Sequence, residues 1–187
     1  MRYSFLLWAF ALGAAATCSA SVVERMSVED LSRGSDAIVS GRVVAVSSAW
    51  NEARTKIYTF STVEVTEALK GEPARRIVVK ELGGAVGDLA MEASGVARFA
   101  LGEEVLVFLR RDPDGAYRTR GLAQGKMRLL RETETGRAYA DRDLSGLTFA
   151  ETFERGVTAV RAPRAVEAPA RRIYLDELKQ RVRAALR

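Results

Sequence analysis

The chain of 187 residues contains no histidine. Without an imidazole it cannot carry a Ser-His-Asp triad, a histidine general base or a histidine-ligated zinc or iron site. Carboxylate chemistry, Ser-Lys pairs and oxygen-bound cations stay open, but the sequence contains no strong motif for any of them. We therefore predict a non-enzymatic protein with no catalytic residue, no cofactor and no metal site.

Cysteine is almost absent as well, because Cys18 is the only one. It follows Arg2 and an apolar run from Phe5 to Ala16, and this combination is typical of a secretory signal peptide. We predict that residues 1–20 are removed after Ala20, which leaves an exported (periplasmic or secreted) protein without a disulfide. The alternative is a lipoprotein anchored through Cys18, although the residues directly before it fit that motif poorly.

Long apolar runs are missing after the N-terminus, so no stretch of the roughly 20 apolar residues that a membrane helix needs is found there.

Charge is distributed unevenly along the sequence. Residues 161–187 hold eight Lys or Arg and three Asp or Glu, whereas residues 21–160 hold 20 basic and 21 acidic residues. Because the main domain is balanced, we predict no nucleic-acid partner and a solvated basic tail, with contact to phosphate or anionic lipid as the alternative.

The stretch from Asp36 to Lys70 contains two long β-rich runs around a polar turn at Asn51 to Thr55. We predict a long bent hairpin, with a bend at the mid-strand Gly41 and a bulge near Ser61-Thr62, where the apolar alternation changes phase. Bends in two paired strands allow a sheet to curl closed. The run from Val105 to Leu109 leaves neither face polar, which predicts a central buried strand.

Helix signals lie on either side of the β-rich region. Ser27 and Asp30 form a capping-box pattern that predicts a short helix over Val28 to Arg33. Apolar residues at helical spacing, among them Leu178 and Val182, predict an amphipathic helix near the C-terminus. The predicted organisation is a signal peptide over residues 1–20, a β-barrel domain over 21–150, a linker over 151–170 and a C-terminal amphipathic helix over 171–187.

Three short motifs resemble ligand-binding loops, and each is better explained as local structure. Gly83 to Gly87 lacks the spacing of a dinucleotide loop and is predicted to be a flexible loop. Gly121 to Met127 ends in methionine where a phosphate loop needs Ser or Thr, so we predict a bulged strand entry in which Gln124 bonds to the backbone. Asp112 to Gly115 lacks the later ligands of a calcium loop and is predicted to be a tight turn.

Three segments resemble the strands of netrin-like domains, which include the tissue inhibitors of metalloproteinases: Ser35 to Val44, Val63 to Gly71 and Phe99 to Leu109. The chain also resembles a group of exported bacterial proteins without assigned function. The resemblance covers about residues 35–130. It implies an all-β fold, a closed five-stranded OB-type Greek-key barrel, to which we add the short N-terminal helix and the C-terminal helix.

The predicted function is an exported module that binds a protein partner. Trp50 lies at the end of the first long strand, where a core plug that closes the barrel end is the favoured interpretation and an exposed recognition residue is the other, so it is also a possible partner-binding residue. The resemblance to the inhibitors implies a partner-binding role for the processed N-terminus, here Ser21 and Val22. Two other functions stay open, an inhibitor or accessory protein of a secreted metalloprotease and a carboxylate-dependent hydrolase.

Overall fold

The computed structural model describes residues 21–152, 158–160 and 172–187. The predicted signal peptide lies outside these ranges, as does most of the predicted linker. The described residues form two helices, α1 (Val28–Gly34) and α2 (Leu175–Ala185), one 3-10 turn at Leu122–Gly125, and thirteen strands. The strands are β1 (Ser21–Val23), β2 (Ala37–Trp50), β3 (Ile57–Lys70), β4 (Arg76–Leu82), β5 (Gly84–Val86), β6 (Leu89–Met91), β7 (Glu104–Arg111), β8 (Tyr117–Thr119), β9 (Lys126–Arg131), β10 (Ala138–Asp141), β11 (Leu147–Thr152), β12 (Thr158–Val160) and β13 (Ile173–Tyr174).

Five strands close into a barrel. β2 pairs antiparallel with both β3 and β7, β3 pairs antiparallel with β4, and β7 pairs antiparallel with β8. The parallel pair Val79–Tyr117 joins β4 to β8 and completes the ring. The predicted closed all-β barrel is confirmed.

The barrel interior is an apolar cluster, because alternate residues of each strand point inward. Val105, Val107 and Leu109 of β7 belong to this interior cluster, together with residues such as Val43 and Val63. The intervening residues of β7 are buried too, on the outer face of the barrel. The prediction that the β7 run is buried on both faces is therefore confirmed.

A second apolar cluster covers the outer face of β2 and β7. Leu31 of α1 and the pair Leu178 and Val182 of α2 are fully buried there against Ile38 and Phe108. The apolar stripe of the C-terminal helix thus packs on α1 and on the outside of the barrel. Within the described ranges, neither helix has the length and apolar character required to cross a membrane.

Ion pairs add to this contact between α2 and the rest of the protein. The Arg181 guanidinium donates to both carboxylate oxygens of Glu29 in α1, each at 3.0 Å. Arg183 donates to Glu67 of β3 at 3.0 Å. Part of the basic tail is therefore paired rather than only solvated. Because these side chains stay partly exposed, each pair contributes only about 0.2–1 kcal/mol, and apolar burial dominates the docking of α2.

The predicted bend at Gly41 coincides with an irregularity of the β2–β3 ladder, because the register shifts between Ser40 and Gly41. A Cβ atom at Gly41 would lie 2.3 Å from the carbonyl oxygen of Glu64. Such a distance is well inside van der Waals contact, so only glycine allows the two backbones to approach this closely.

The second predicted irregularity, a bulge near Ser61-Thr62, is wrong. Val43 pairs with Val63 and Ala45 pairs with Thr62, so the extra residue is Val44 in β2. The other strand, β3, keeps its alternation through this region, and Ser61 is buried. The apparent change of phase in the sequence arises because a serine occupies an inward position that an apolar residue was expected to fill.

Two segments predicted to lack regular structure contain short strands. The part of the predicted linker that the structure describes belongs to β11, which continues through Thr152, and to β12, which pairs antiparallel with it. β1 pairs in parallel with β11. The predicted loop at Gly83–Gly87 contains β5, which pairs with β6 in a small hairpin.

Replacing Gly41 with alanine is expected to lower the free energy of unfolding by about 1–3 kcal/mol, because the new Cβ forces the β2 and β3 backbones apart. Gly34→Ala is the matched control. There the new Cβ would meet only the guanidinium of Arg120, a mobile side-chain end, at 2.7 Å. Urea unfolding of the two variants tests this, and an unchanged stability of Gly41→Ala would show that the close approach is not required.

Removing the side chain of Leu178 tests whether α2 is part of the folded unit. Leu178→Ala is expected to cost about 2–5 kcal/mol in the free energy of unfolding, since Leu178 is fully buried and its loss leaves a cavity. Leu101→Ala removes the same atoms from a residue that is 71% exposed and is expected to change stability by less than about 0.5 kcal/mol. Equal effects of the two variants in urea unfolding would mean that α2 is not held by this contact.

Candidate functional site

The predicted partner-binding residues lie in two different sheets. Trp50 ends β2 at the tip of the hairpin, opposite Ile57, where it is half-buried and belongs to neither apolar cluster. Ser21 and Val22 begin β1, which pairs with β11 in a separate three-stranded sheet. Val22 is 51% exposed. The three residues therefore do not form one continuous strand surface.

The outer half of β2 has a free edge. β2 pairs with β7 only over Ala37–Arg42. The next residue, Val43, still bonds to the loop before β7, since its N–H donates to the Glu103 carbonyl at 2.9 Å and its carbonyl accepts from Gly102 at 2.8 Å. Beyond it, the seven residues of 44–50 comprise the unpaired bulge residue Val44 and six residues, 45–50, that pair with β3 alone within the described ranges. We call this segment the ribbon edge.

The composition of the ribbon edge leaves it open to pairing. Natural sheets protect exposed edges with charged residues or proline, which stop another strand from adding. Residues 44–50 read Val-Ala-Val-Ser-Ser-Ala-Trp, with no charge and no proline. Ala45, Ser47 and Ala49 are exposed, and Val46 is 39% exposed. The backbone of this edge is therefore accessible and lacks the usual protection.

The inner face of the same hairpin ends in polar side chains at the mouth of the barrel. Ser48 of β2 lies opposite Thr59 of β3, which lies opposite Glu81 of β4. The hydroxyl oxygens of Ser48 and Thr59 are 3.1 Å apart, and Thr59 donates to the Gly83 carbonyl at 2.8 Å. The apolar barrel interior therefore gives way to a row of hydrogen-bonding groups at this end.

Glu81 is the buried acid of this row, with only 7% of its surface exposed. Its Oε1 accepts a hydrogen bond from the Thr119 N–H at 2.8 Å. No Lys or Arg of the described residues forms an ion pair with it. Burial raises the pKa of the Glu81 carboxyl, an effect that outweighs the Thr119 hydrogen bond and the charges of Arg118 and Arg110.

Glu81 is not among the residues predicted to be functional, although the sequence contains a signal for it. Ile77 and Val79 lie two positions apart on β4 and both belong to the interior cluster. Side chains of a strand alternate between its faces, so the residue two positions further on shares their orientation. A glutamate at an inward-facing position of a barrel strand is unusual, and the alternation alone would have identified it.

Glu81 lines a cleft of about 380 Å³ between the hairpin, β5–β6 and segment 93–99. β5 approaches the row closely, because a Cβ atom at Gly84 would lie 2.4 Å from Ser48 Oγ and 2.5 Å from Thr59 Oγ1. The rest of the wall is mostly apolar, formed by Val46, Leu82, Ala85, Ala90, Met91, Val96, Ala97 and Phe99. The result is a small apolar cleft with one buried carboxyl and two hydroxyls.

The other motifs are explained by local contacts. Asp112 lies in the predicted turn, where its N–H donates to the Ala116 carbonyl at 2.8 Å and its carboxylate lies 3.0 Å from Arg118. Gln124 accepts from Met26 N–H at 2.8 Å and donates to a backbone carbonyl, as predicted, but within a 3-10 turn rather than a strand. No group of three or more His, Cys, Asp or Glu residues among those described could hold a metal ion.

Two features thus meet at the mouth of the barrel, the ribbon edge and the cleft that contains Glu81. Comparison with known proteins adds no relative, since no family model and no curated protein matches the chain. Function must therefore be inferred from the chemistry of these two features.

Glu81→Gln is expected to remove a pH dependence of stability. Because the folded-state pKa of Glu81 is raised, the folded protein keeps the proton over a pH range in which the unfolded chain has lost it. The free energy of unfolding of the wild type should therefore fall as the pH rises from the ordinary glutamate value through the raised pKa of Glu81. Glutamine still accepts from the Thr119 N–H but has no charge to bury.

Urea unfolding of both proteins across this pH range measures the effect. The stability of Glu81→Gln relative to the wild type should increase with pH. Glu92→Gln is the control, because the Glu92 side chain is 84% exposed. A Glu81→Gln curve that runs parallel to the wild-type curve would contradict the assignment of Glu81 as a buried acid with a raised pKa.

Proposed function

We propose that this protein is an exported, non-enzymatic binding module whose partner is an extended segment of another protein. The observation that carries this proposal is the ribbon edge, a seven-residue segment without charge or proline, of which residues 45–50 pair on one side only within the described ranges. An extended segment can add to such an edge as a further strand, through main-chain hydrogen bonds. Export rests on the signal-peptide pattern of residues 1–20 and stays a prediction.

The side chains along the ribbon edge suit such a partner. Ala45, Ser47 and Ala49 are small and exposed, so they leave room for larger partner side chains on that face. On the other face, Val46 and Trp50 offer partly exposed apolar surface at alternate positions. In strand addition the main chain supplies affinity and alternate side chains supply specificity. In this proposal Trp50 serves as a recognition residue, the second of the two roles predicted for it.

We further propose that the barrel is of OB type, as the resemblance to netrin-like domains implies. The ring order β2-β3-β4-β8-β7, with its parallel junction between β4 and β8, supports this assignment. Inhibition of a metalloprotease through the N-terminus is less well supported, because Ser21 and Val22 pair with β11.

A carboxylate-dependent hydrolase needs a second carboxyl group that acts together with the first. Among the described residues that line the cleft, the other carboxylate is Glu92. It is exposed and forms an ion pair with Arg98 at 3.4 Å. A binding function is therefore the better proposal for this part of the molecule.

Selection of peptides against the folded protein tests strand addition. Enriched peptides are expected to be extended sequences that alternate apolar and polar residues, and Val46→Lys is expected to weaken their binding by about tenfold or more, because a charge on an edge strand opposes pairing. Val78→Lys is the matched control. Val78 is 38% exposed, close to the 39% of Val46, but it lies on β4, which pairs with β3 on one side and, at the adjacent Val79, with β8 on the other.

Fluorescence anisotropy with labelled peptides measures these affinities. Equal weakening by the two lysine variants would contradict binding at the ribbon edge. If the wild type forms a concentration-dependent dimer and Val46→Lys does not, the partner at the ribbon edge is a second copy of this chain rather than another protein.

A further inference from the structure

Buried polar groups at the barrel mouth lack the partners that such groups ordinarily have. Nearly all buried polar atoms in folded proteins form hydrogen bonds. Here the hydroxyl oxygen of Ser61 is buried without a hydrogen-bond partner among the described residues. Glu81 is more than nine-tenths buried, accepts a hydrogen bond from the Thr119 N–H and forms no ion pair with any described Lys or Arg. A carboxyl group left in this way is costly unless something interacts with it.

The cleft beside Glu81 has the size and character of a small-molecule site. Its volume of about 380 Å³ lies within the range typical of ligand pockets, about 300–1,000 Å³. Apolar walls with a small number of convergent polar groups are also typical of such sites. The polar groups here are the Glu81 carboxyl and the hydroxyls of Ser48 and Thr59, which follow one another across three adjacent strands.

We propose that this cleft binds a small organic amine, with the ammonium group against Glu81 and the apolar body against Val46, Met91 and Phe99. An ammonium group has three N–H donors and no acceptor. The carboxylate of Glu81 accepts one of them, and the hydroxyl oxygen of Thr59, the cross-strand neighbour of Glu81 in the cleft wall, is a second acceptor. The positive charge of the ligand supplies the ion-pair partner that Glu81 lacks among the described residues.

The charged groups around the cleft are compatible with a cationic ligand. Arg118 and Arg110 act on Glu81, but burial has the larger effect on its pKa. At the rim, Arg98 is 75% exposed and is paired with Glu92, so its charge is largely offset and screened by solvent. A bound ammonium group favours the ionised form of the Glu81 carboxyl. The affinity of the protein for the amine should therefore rise with pH until the amine itself loses its proton.

Benzylamine and benzyl alcohol are suitable probes, because they share a ring and differ in the charged group. Isothermal titration at neutral pH is expected to give weak binding of benzylamine, with benzyl alcohol at least about tenfold weaker because it lacks the charge. The backbone amide resonances of Ser48, Thr59 and Glu81 should shift in NMR titrations with benzylamine. Equal affinities for the two probes, or no binding of benzylamine, would overturn the proposal.

Variants locate the site. Glu81→Gln is expected to weaken benzylamine binding by about tenfold or more and to leave benzyl alcohol unaffected, whereas Glu72→Gln, which changes an exposed glutamate outside the cleft, should change neither. A Glu81→Gln protein that binds benzylamine as well as the wild type does would overturn the proposal. A larger loss of benzylamine affinity in Glu92→Gln than in Glu81→Gln would also overturn it, because that result would place the ammonium group at the exposed rim. If Glu81→Gln does not fold, Thr59→Val serves instead, because it removes one acceptor hydroxyl at nearly constant shape. It should weaken the binding of benzylamine more than that of benzyl alcohol.

Discussion

The difference in length between β2 and β7 determines the functional features of this protein. β2 has 14 residues and β7 has eight. Where both strands are present, over Ala37–Arg42, β2 is paired on both sides and contributes Val39 to the interior and Ile38 to the outer cluster. Where β7 has ended, β2 continues with β3 alone. The same strand is therefore a structural element at one end and an accessible edge at the other.

The barrel mouth concentrates features that a fold optimised for stability alone would avoid. Glu81 is a buried carboxyl with a raised pKa and no ion pair among the described residues, and the buried hydroxyl of Ser61 on β3 lacks a described hydrogen-bond partner. The adjacent ribbon edge lacks the charges that normally prevent strand addition. Elsewhere two apolar clusters and a bonded helix cap at Ser27 follow the ordinary rules. Departures from these rules beside a cleft are typical of a binding site.

Local patterns in the sequence predicted the local structure well and the site poorly. Alternation and β-branched residues predicted the long hairpin, and the apolar run of β7 predicted a strand buried on both faces. The expected bulge near Ser61-Thr62 was wrong because polar residues occupy inward positions there. The ribbon edge was not predictable, since it depends on where β7 ends relative to β2 in the folded sheet. Glu81 was predictable in orientation, but its burial depends on β8 and segment 93–99.

Amide hydrogen exchange along β2, measured by NMR on the free protein, tests most directly whether the ribbon edge exists. If it does, the amides of Ala37–Arg42 are protected throughout, because neighbouring strands accept from both sides. Beyond Val43, only the amides that face β3 are protected, and those that point to the open side exchange rapidly. Uniform protection from Ala37 to Trp50 would show that the edge is already covered and would contradict the account.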